Sequence, residues 1–159
     1  MLFDIRTLLE FSPGFIAALT CSLFAGAAVY VSFVEHPARL ACETEVAAKH
    51  WVPSYRRGTV MQVSLAVVAT LGGLSRWLLG WGSLWFWGSL LIFAVIPFTI
   101  VVVFPTNKKL LEPGRDLSSE ETRALLKVWG RLHAIRSILS LVACFFFLVA
   151  LSRMQRLTL

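Results

Sequence analysis

Trp129, His133 and Arg136 follow one another at intervals of four and three residues, so on a helix their side chains share one side, while Arg131 points elsewhere. They stand where an apolar run that continues to Leu151 has already begun. An imidazole and a guanidinium turned inward there would form a buried polar site. Turned outward they would be anchors, since even at the bilayer centre an arginine costs only about 2.5–3.5 kcal/mol on insertion scales. Three other stretches are rich in the same residue types: "EHPAR" at Glu35–Arg39, "KHWVPSYRR" at Lys49–Arg57 and "FPTNKKL" at Phe104–Leu110. Asn107 can donate and accept at once, which suits a ligand carbonyl or hydroxyl and equally suits capping of helix carbonyls. Trp51 and Tyr55, four residues apart, offer an indole face and a phenol, or an interfacial aromatic pair. His36 and His50 read as surface histidines when taken singly. With His133 they complete the histidines of the chain. Imidazole suits copper or iron, but the spacing of the three matches no ligand motif, and no metal site is expected.

The elements that would position these residues are membrane spans. A chain of 159 residues that is 57% hydrophobic and 15% charged is too apolar for a soluble domain of this size. Its net charge of +6 would suggest nucleic acid in a soluble protein. Here no polar surface remains to read a groove, and the basic residues face lipid headgroups instead. Four apolar runs, at about 13–34, 58–79, 84–104 and 132–151, are each long enough to cross the hydrocarbon core as a helix. A cleavable signal peptide is the rival reading of the first, given Arg6 before it and "AGAA" at Ala25–Ala28, but Asp4 and Glu10 spoil its basic start. The fold class is therefore all-α, a four-helix transmembrane bundle forming a single domain over residues 1–159.

Smaller signals fill in the connections. Arg76 is expected to snorkel toward an interface, and Trp81, Trp85 and Trp87 to form an aromatic belt where span three begins. Pro97 should kink that span. Ser118 with Glu121 has capping-box spacing, so an amphipathic, interfacial lead-in to span four should start there. Cys21, Cys42 and Cys144 form no disulfide or zinc pattern, and no internal repeat is visible. With four spans the polar stretches all lie at one end. Eleven of the fifteen Lys and Arg residues belong to that end, which predicts that connections 35–57 and 105–131 are cytoplasmic and both termini are not.

The order "EHPAR", Trp51 and Tyr55, "PFT" at Pro97–Thr99, "PTNKKL" at Pro105–Leu110 and "WGRLHAIR" at Trp129–Arg136 resembles the anthrone oxygenase-like family of small four-span membrane proteins. The resemblance covers nearly the whole chain, and "PTN" with "WxxLHxxR" is specific as a pair. It implies oxidation of an anthrone methylene to a ketone by molecular oxygen as co-substrate, with no organic cofactor expected. The positions that match are Pro37, Arg39, Trp51, Tyr55, Thr99, Pro105, Asn107, Trp129, His133 and Arg136. On that reading His133 is the base, with Arg136, Asn107 and Tyr55 as catalytic oxyanion donors. Trp51, Trp129, Arg39, Thr99 and His36 would bind a small hydrophobic aromatic substrate. A non-catalytic membrane protein that binds a hydrophobic ligand or partner stands as the alternative. A transporter or channel is disfavoured because no span carries a mid-membrane acidic residue.

Overall fold

The computed structural model describes the backbone of residues 5–156 and the side chains of residues 12–153. Asp4, Arg6 and Glu10, weighed above in the signal-peptide reading, lie outside the described side chains. Helix α1 (Ile5–Tyr30) continues through a π-helical turn, Val31–Glu35, into α2 (His36–Ala41), and α3 covers Thr44–Leu78. Helix α4 (Ser83–Phe98) likewise continues through a π-helical turn, Thr99–Val103, into α5 (Phe104–Leu110), before α6 (Glu120–Arg156). Four helical segments, Ser12–Ala41, Thr44–Leu78, Ser83–Leu110 and Glu120–Arg153, are long and apolar enough to cross a membrane. The chain is an all-α, multi-pass membrane protein.

Both π-helical turns end two residues before a proline, Pro37 in one case and Pro105 in the other. Proline has no N–H to give the carbonyl one α-turn back. The wider turn carries the chain past that gap: the His36 N–H reaches the Val31 carbonyl and the Phe104 N–H reaches the Thr99 carbonyl. Each π turn holds one surplus residue, which rotates everything beyond it by about 100°. In α4 the inward residues are Trp85, Ile92 and Val95; Val103, which ends the turn, is buried, and beyond it the inward residues are Thr106, Asn107 and Leu110. An uninterrupted α-helix would have brought Thr99 and Val102 inward, and neither is buried. The same device occurs in each half of the chain, so two helical hairpins of like build exist without a visible sequence repeat.

In the bundle α1 and α4 each pack against both α3 and α6. The shaft core is built from small residues with a few large ones: Ala17, Cys21, Phe24 and Ala28 of α1 meet Ala66 and Ala69 of α3, and Phe147 of α6 packs against Trp85 of α4. Small side chains let helices approach closely, which matters where lipid competes for every apolar contact. One tight approach is at Phe147. A Cβ added at Gly88 would lie 2.7 Å from its ring, and one added at Gly73 would lie 2.6 Å from it. The ring fills a notch that two absent side chains leave, and this pins α6 to both α3 and α4.

Several local expectations are corrected. Arg76 does not snorkel: it is 1% exposed, with its guanidinium 3.9 Å from the Trp81 ring centroid. Trp85 belongs to the core and not to a belt, whereas Trp87 is exposed. The connection 35–57 is helical almost throughout, interrupted only at Cys42 and Glu43. The cap of α6 is Ser119, whose hydroxyl accepts from the Thr122 N–H at 3.2 Å. Ser118 instead donates its N–H and hydroxyl to the Asp116 carboxylate, which holds that carboxyl below its ordinary pKa. The lead-in runs on into the span as expected, both belonging to the one helix α6.

Filling the Phe147 notch should be costly. Gly88→Val is expected to lower stability by about 1–3 kcal/mol, the usual range for overpacking, measured as unfolding of the detergent-solubilised protein. Gly26→Ala, at a position where a Cβ meets nothing within 4 Å, should leave stability unchanged or raise it.

Candidate functional site

The inward stretches converge at the end of the bundle beyond the π turns. Helix α6 supplies Trp129, His133 and Arg136, which are 5%, 3% and 8% exposed, while Arg131 is on the outside. The Trp129 and His133 rings lie 4.9 Å apart, tilted by 31°. Trp51 of α3 stacks on Tyr55 at 4.8 Å, nearly parallel, and meets Trp129 edge-on at 5.8 Å. An aromatic wall thus runs from α3 to α6.

Tyr55, Gln62, Trp129, His133 and Arg136 line a cavity of about 370 Å³, together with Glu35. Arg136 is the buried cation of this cavity, and the exposed Arg57 stands at its edge. Its Nη2 donates to Gln62 Oε1 at 2.7 Å, its guanidinium carbon stands 5.9 Å from the Phe24 ring centroid, and its Nε–H is buried without a partner. A guanidinium has five donors, and the single protein acceptor leaves most of them for an oxygen brought by a ligand. Glu35 does not compensate this charge, because its carboxylate is ion-paired with Arg39 and accepts from Ser54 Oγ at 2.6 Å.

The orientation of His133 follows from a chain of hydroxyls. Ser137 Oγ donates to the Ala28 carbonyl at 2.9 Å, so it accepts from Ser32 Oγ at 2.8 Å, and Ser32 Oγ in turn accepts from His133 Nδ1 at 3.2 Å. With the Ser137 proton on the carbonyl, Nδ1 carries the hydrogen and the lone pair is on Nε2. In that arrangement the imidazole is the tautomer whose Nε2 can take a proton.

A second polar layer lies beside the cavity. Arg39 is 4% exposed and donates through Nε to His50 Nδ1 at 3.2 Å, through Nη1 to His36 Nδ1 at 3.3 Å, and through Nη2 to Glu35 and Ser54. His36 gives its remaining nitrogen, Nε2, to the Leu126 carbonyl of α6 at 3.0 Å. Both ring nitrogens of His36 are therefore engaged, and the ring packs on Trp129 at 5.0 Å. Gly130 makes room for it: a Cβ there would lie 2.5 Å from the imidazole. Among the described residues no three of His, Cys, Asp and Glu gather into a metal-ligating group.

Of the residues singled out in the sequence, the structure brings His133, Arg136, Tyr55 and Trp129 to one cavity wall. Trp51, His36 and Arg39 stand behind that wall and hold it. Thr99 is apart from it, with its hydroxyl bonded to the Val95 carbonyl at 2.7 Å. Asn107 is fully buried beyond the second π turn and does not line the cavity; neither its Oδ1 nor its Nδ2 has a partner. Val103 and Leu110, one turn on either side of Asn107, pack in the cluster that holds Trp51 and Trp129. Gln62 and Ser32 were missed. Gln62 carried a signal, as the one strongly polar residue inside span two, but a serine in an apolar run carries none.

Fold and cavity define a four-helix membrane protein with a cavity at one end that holds a buried imidazole and guanidinium. Residues 51–146 match the anthrone oxygenase family, and the chain belongs to it. It is 29% identical over 136 residues to the anthrone oxygenase tpcL of Aspergillus fumigatus, covering 79% of this chain and 84% of that protein. No solved structure matches the chain.

Gln62→Leu removes the acceptor of a buried cation while keeping nearly the same volume. Hydrogen bonds to charged groups are worth about 1.5–3 kcal/mol, and the variant should lose stability by that amount in detergent unfolding. Gln62→Glu should retain the bond and the stability.

Proposed function

We propose that the cavity oxygenates an anthrone-type aromatic compound to the quinone, with His133 as general base and Arg136 as the group that stabilises the developing anion. The observation that carries this reading is the pairing at one wall of an imidazole with a free Nε2 and a buried guanidinium with one neutral acceptor. Membership in the anthrone oxygenase family supports the reaction class.

The methylene of an anthrone is acidic because its anion is delocalised over the rings. His133 Nε2 takes one proton, and the negative charge moves to the ketone oxygen, where Arg136 donates to it in a low-dielectric site. Tyr55 offers a second donor. The electron-rich carbon then adds molecular oxygen, and a proton returned by the imidazolium gives a carbon-bound hydroperoxide. Loss of water, taking the remaining hydrogen of that carbon, leaves the second ketone. One dioxygen is consumed and one water released, so the sequence balances without an organic cofactor or a metal. The Trp129 face lies beside the ring of His133 and suits a flat substrate.

The orientation in the membrane belongs to the same proposal. Arg39, Arg76 and Arg136 are interior residues and drop out of the charge count, yet the remaining basic residues still favour the cavity end. That end is placed on the cytoplasmic side, with both termini opposite.

Two variants test the chemistry with purified protein, an anthrone and dissolved oxygen, following quinone formation. His133→Gln should lose about 10²–10⁴-fold in kcat, the range for a positioned base, with its unfolding temperature little changed. Full turnover by a folded His133→Gln protein would remove the proposed base. Ser32→Ala releases the hydrogen bond that sets the tautomer, worth about 1 kcal/mol, and should lower kcat by roughly fivefold while KM stays the same.

A further inference from the structure

The cavity has a front and a back. Its buried polar groups are His133 and Arg136 of α6 with Gln62 of α3, whereas Ala27 and Tyr30 of α1 and Gly58 and Met61 of α3 lie toward the outside. No residue of α4 or α5 lines it. Since α1 packs on both α3 and α6, the cavity lies between α1 and α3 with α6 behind it. Tyr30 and Met61 are 55% and 48% exposed, against 3% for His133 at the back. The front therefore opens sideways, through the wall of the bundle.

One side of that opening carries the exposed Arg57, which reaches to headgroups, and the rest of its surroundings are apolar. Ala27, Tyr30, Gly58 and Met61 all lie within membrane-crossing segments, and Leu23, Val60 and Val63 beside them are exposed hydrophobic residues. Such a surface faces acyl chains. Within the slot Gly58 lines the cavity, yet a Cβ built on it meets no heavy atom within 4 Å. Its missing side chain is space in the passage. Glycine in the middle of a helix is unfavourable without a reason of this kind.

We propose that a lateral portal between α1 and α3, whose width Gly58 sets, admits a flat, membrane-dissolved aromatic molecule to the cavity directly from the bilayer. The aromatic class of ligand rests on the function proposed above; the portal does not. A molecule entering this way arrives with its apolar body in lipid and its polar edge toward Arg136 and His133. It never crosses water, and discrimination at the slot is by thickness and bulk.

The test uses the full chain in phosphatidylcholine vesicles and anthraquinone, which cannot be turned over, as probe. Binding is read by quenching of tryptophan fluorescence. Gly58→Leu should weaken anthraquinone binding at least tenfold and Gly58→Ala by less. Gly26→Leu, a leucine added on α1 outside the cavity, should bind as wild type, and none of the three should unfold at a lower temperature. Wild-type binding by Gly58→Leu, or equal weakening by Gly26→Leu, would overturn the assignment. A second arm is independent of any ligand: a nitroxide on Gly58→Cys, in a Cys42→Ser, Cys144→Ala background, should be relaxed by dissolved oxygen and not by a water-soluble nickel chelate. Relaxation by the chelate would place the mouth in water and refute the portal. If oxygen alone relaxes the label but wild type does not bind anthraquinone, the portal stands and the aromatic substrate reading fails.

Discussion

A positive charge held inside a membrane bundle with one neutral acceptor is the constraint from which the rest of this molecule follows. Removing a guanidinium from water is expensive, and a buried cation is tolerated only where donors are satisfied or where the site has a use for the charge. Arg136 has Gln62 and a phenylalanine face, and its Nε–H is left over. The surrounding structure keeps the charge in that condition. The carboxylate that could neutralise it, Glu35, is committed to Arg39, and Arg39 is held in place by two histidines and a serine.

This division of labour explains why so many polar residues crowd one end of the bundle. One arginine, compensated by a carboxylate and hydrogen-bonded on several sides, ties α2 and α3 together and, through His36, reaches the backbone of α6. The other stays under-satisfied and faces the cavity. The first is structural bracing that lets the second remain where its field acts on a ligand. The aromatic wall of Tyr55, Trp51 and Trp129 gives the cavity a side of low polarity, where electrostatic interactions act more strongly than in water.

The four spans were legible because a hydrocarbon core demands about twenty apolar residues in a row, and that demand leaves a plain mark on composition. The grouping of Trp129, His133 and Arg136 was legible because all three fall on one uninterrupted α-helix, where helical spacing is reliable. The other side of the bundle was not readable in that way. Two π turns shift the helical phase, so a residue's place above a turn cannot be counted from the core below it. Asn107 could be chosen by type but not placed. Gln62 and Ser32 were passed over because their roles come from partners on other helices, and Arg76 was misjudged because its position near a helix end suggested an escape to water.

The two surplus residues also have a bearing on how such a protein can change. By breaking the phase, each π turn separates a lipid-embedded shaft, selected for close helix contact, from a rim selected for chemistry. Substitutions in one portion of the rod then need no matching adjustment in the other. The same membrane scaffold can carry a different set of rim residues without rebuilding its core, whereas losing a single residue from either turn would swing a whole set of rim groups toward the lipid at once.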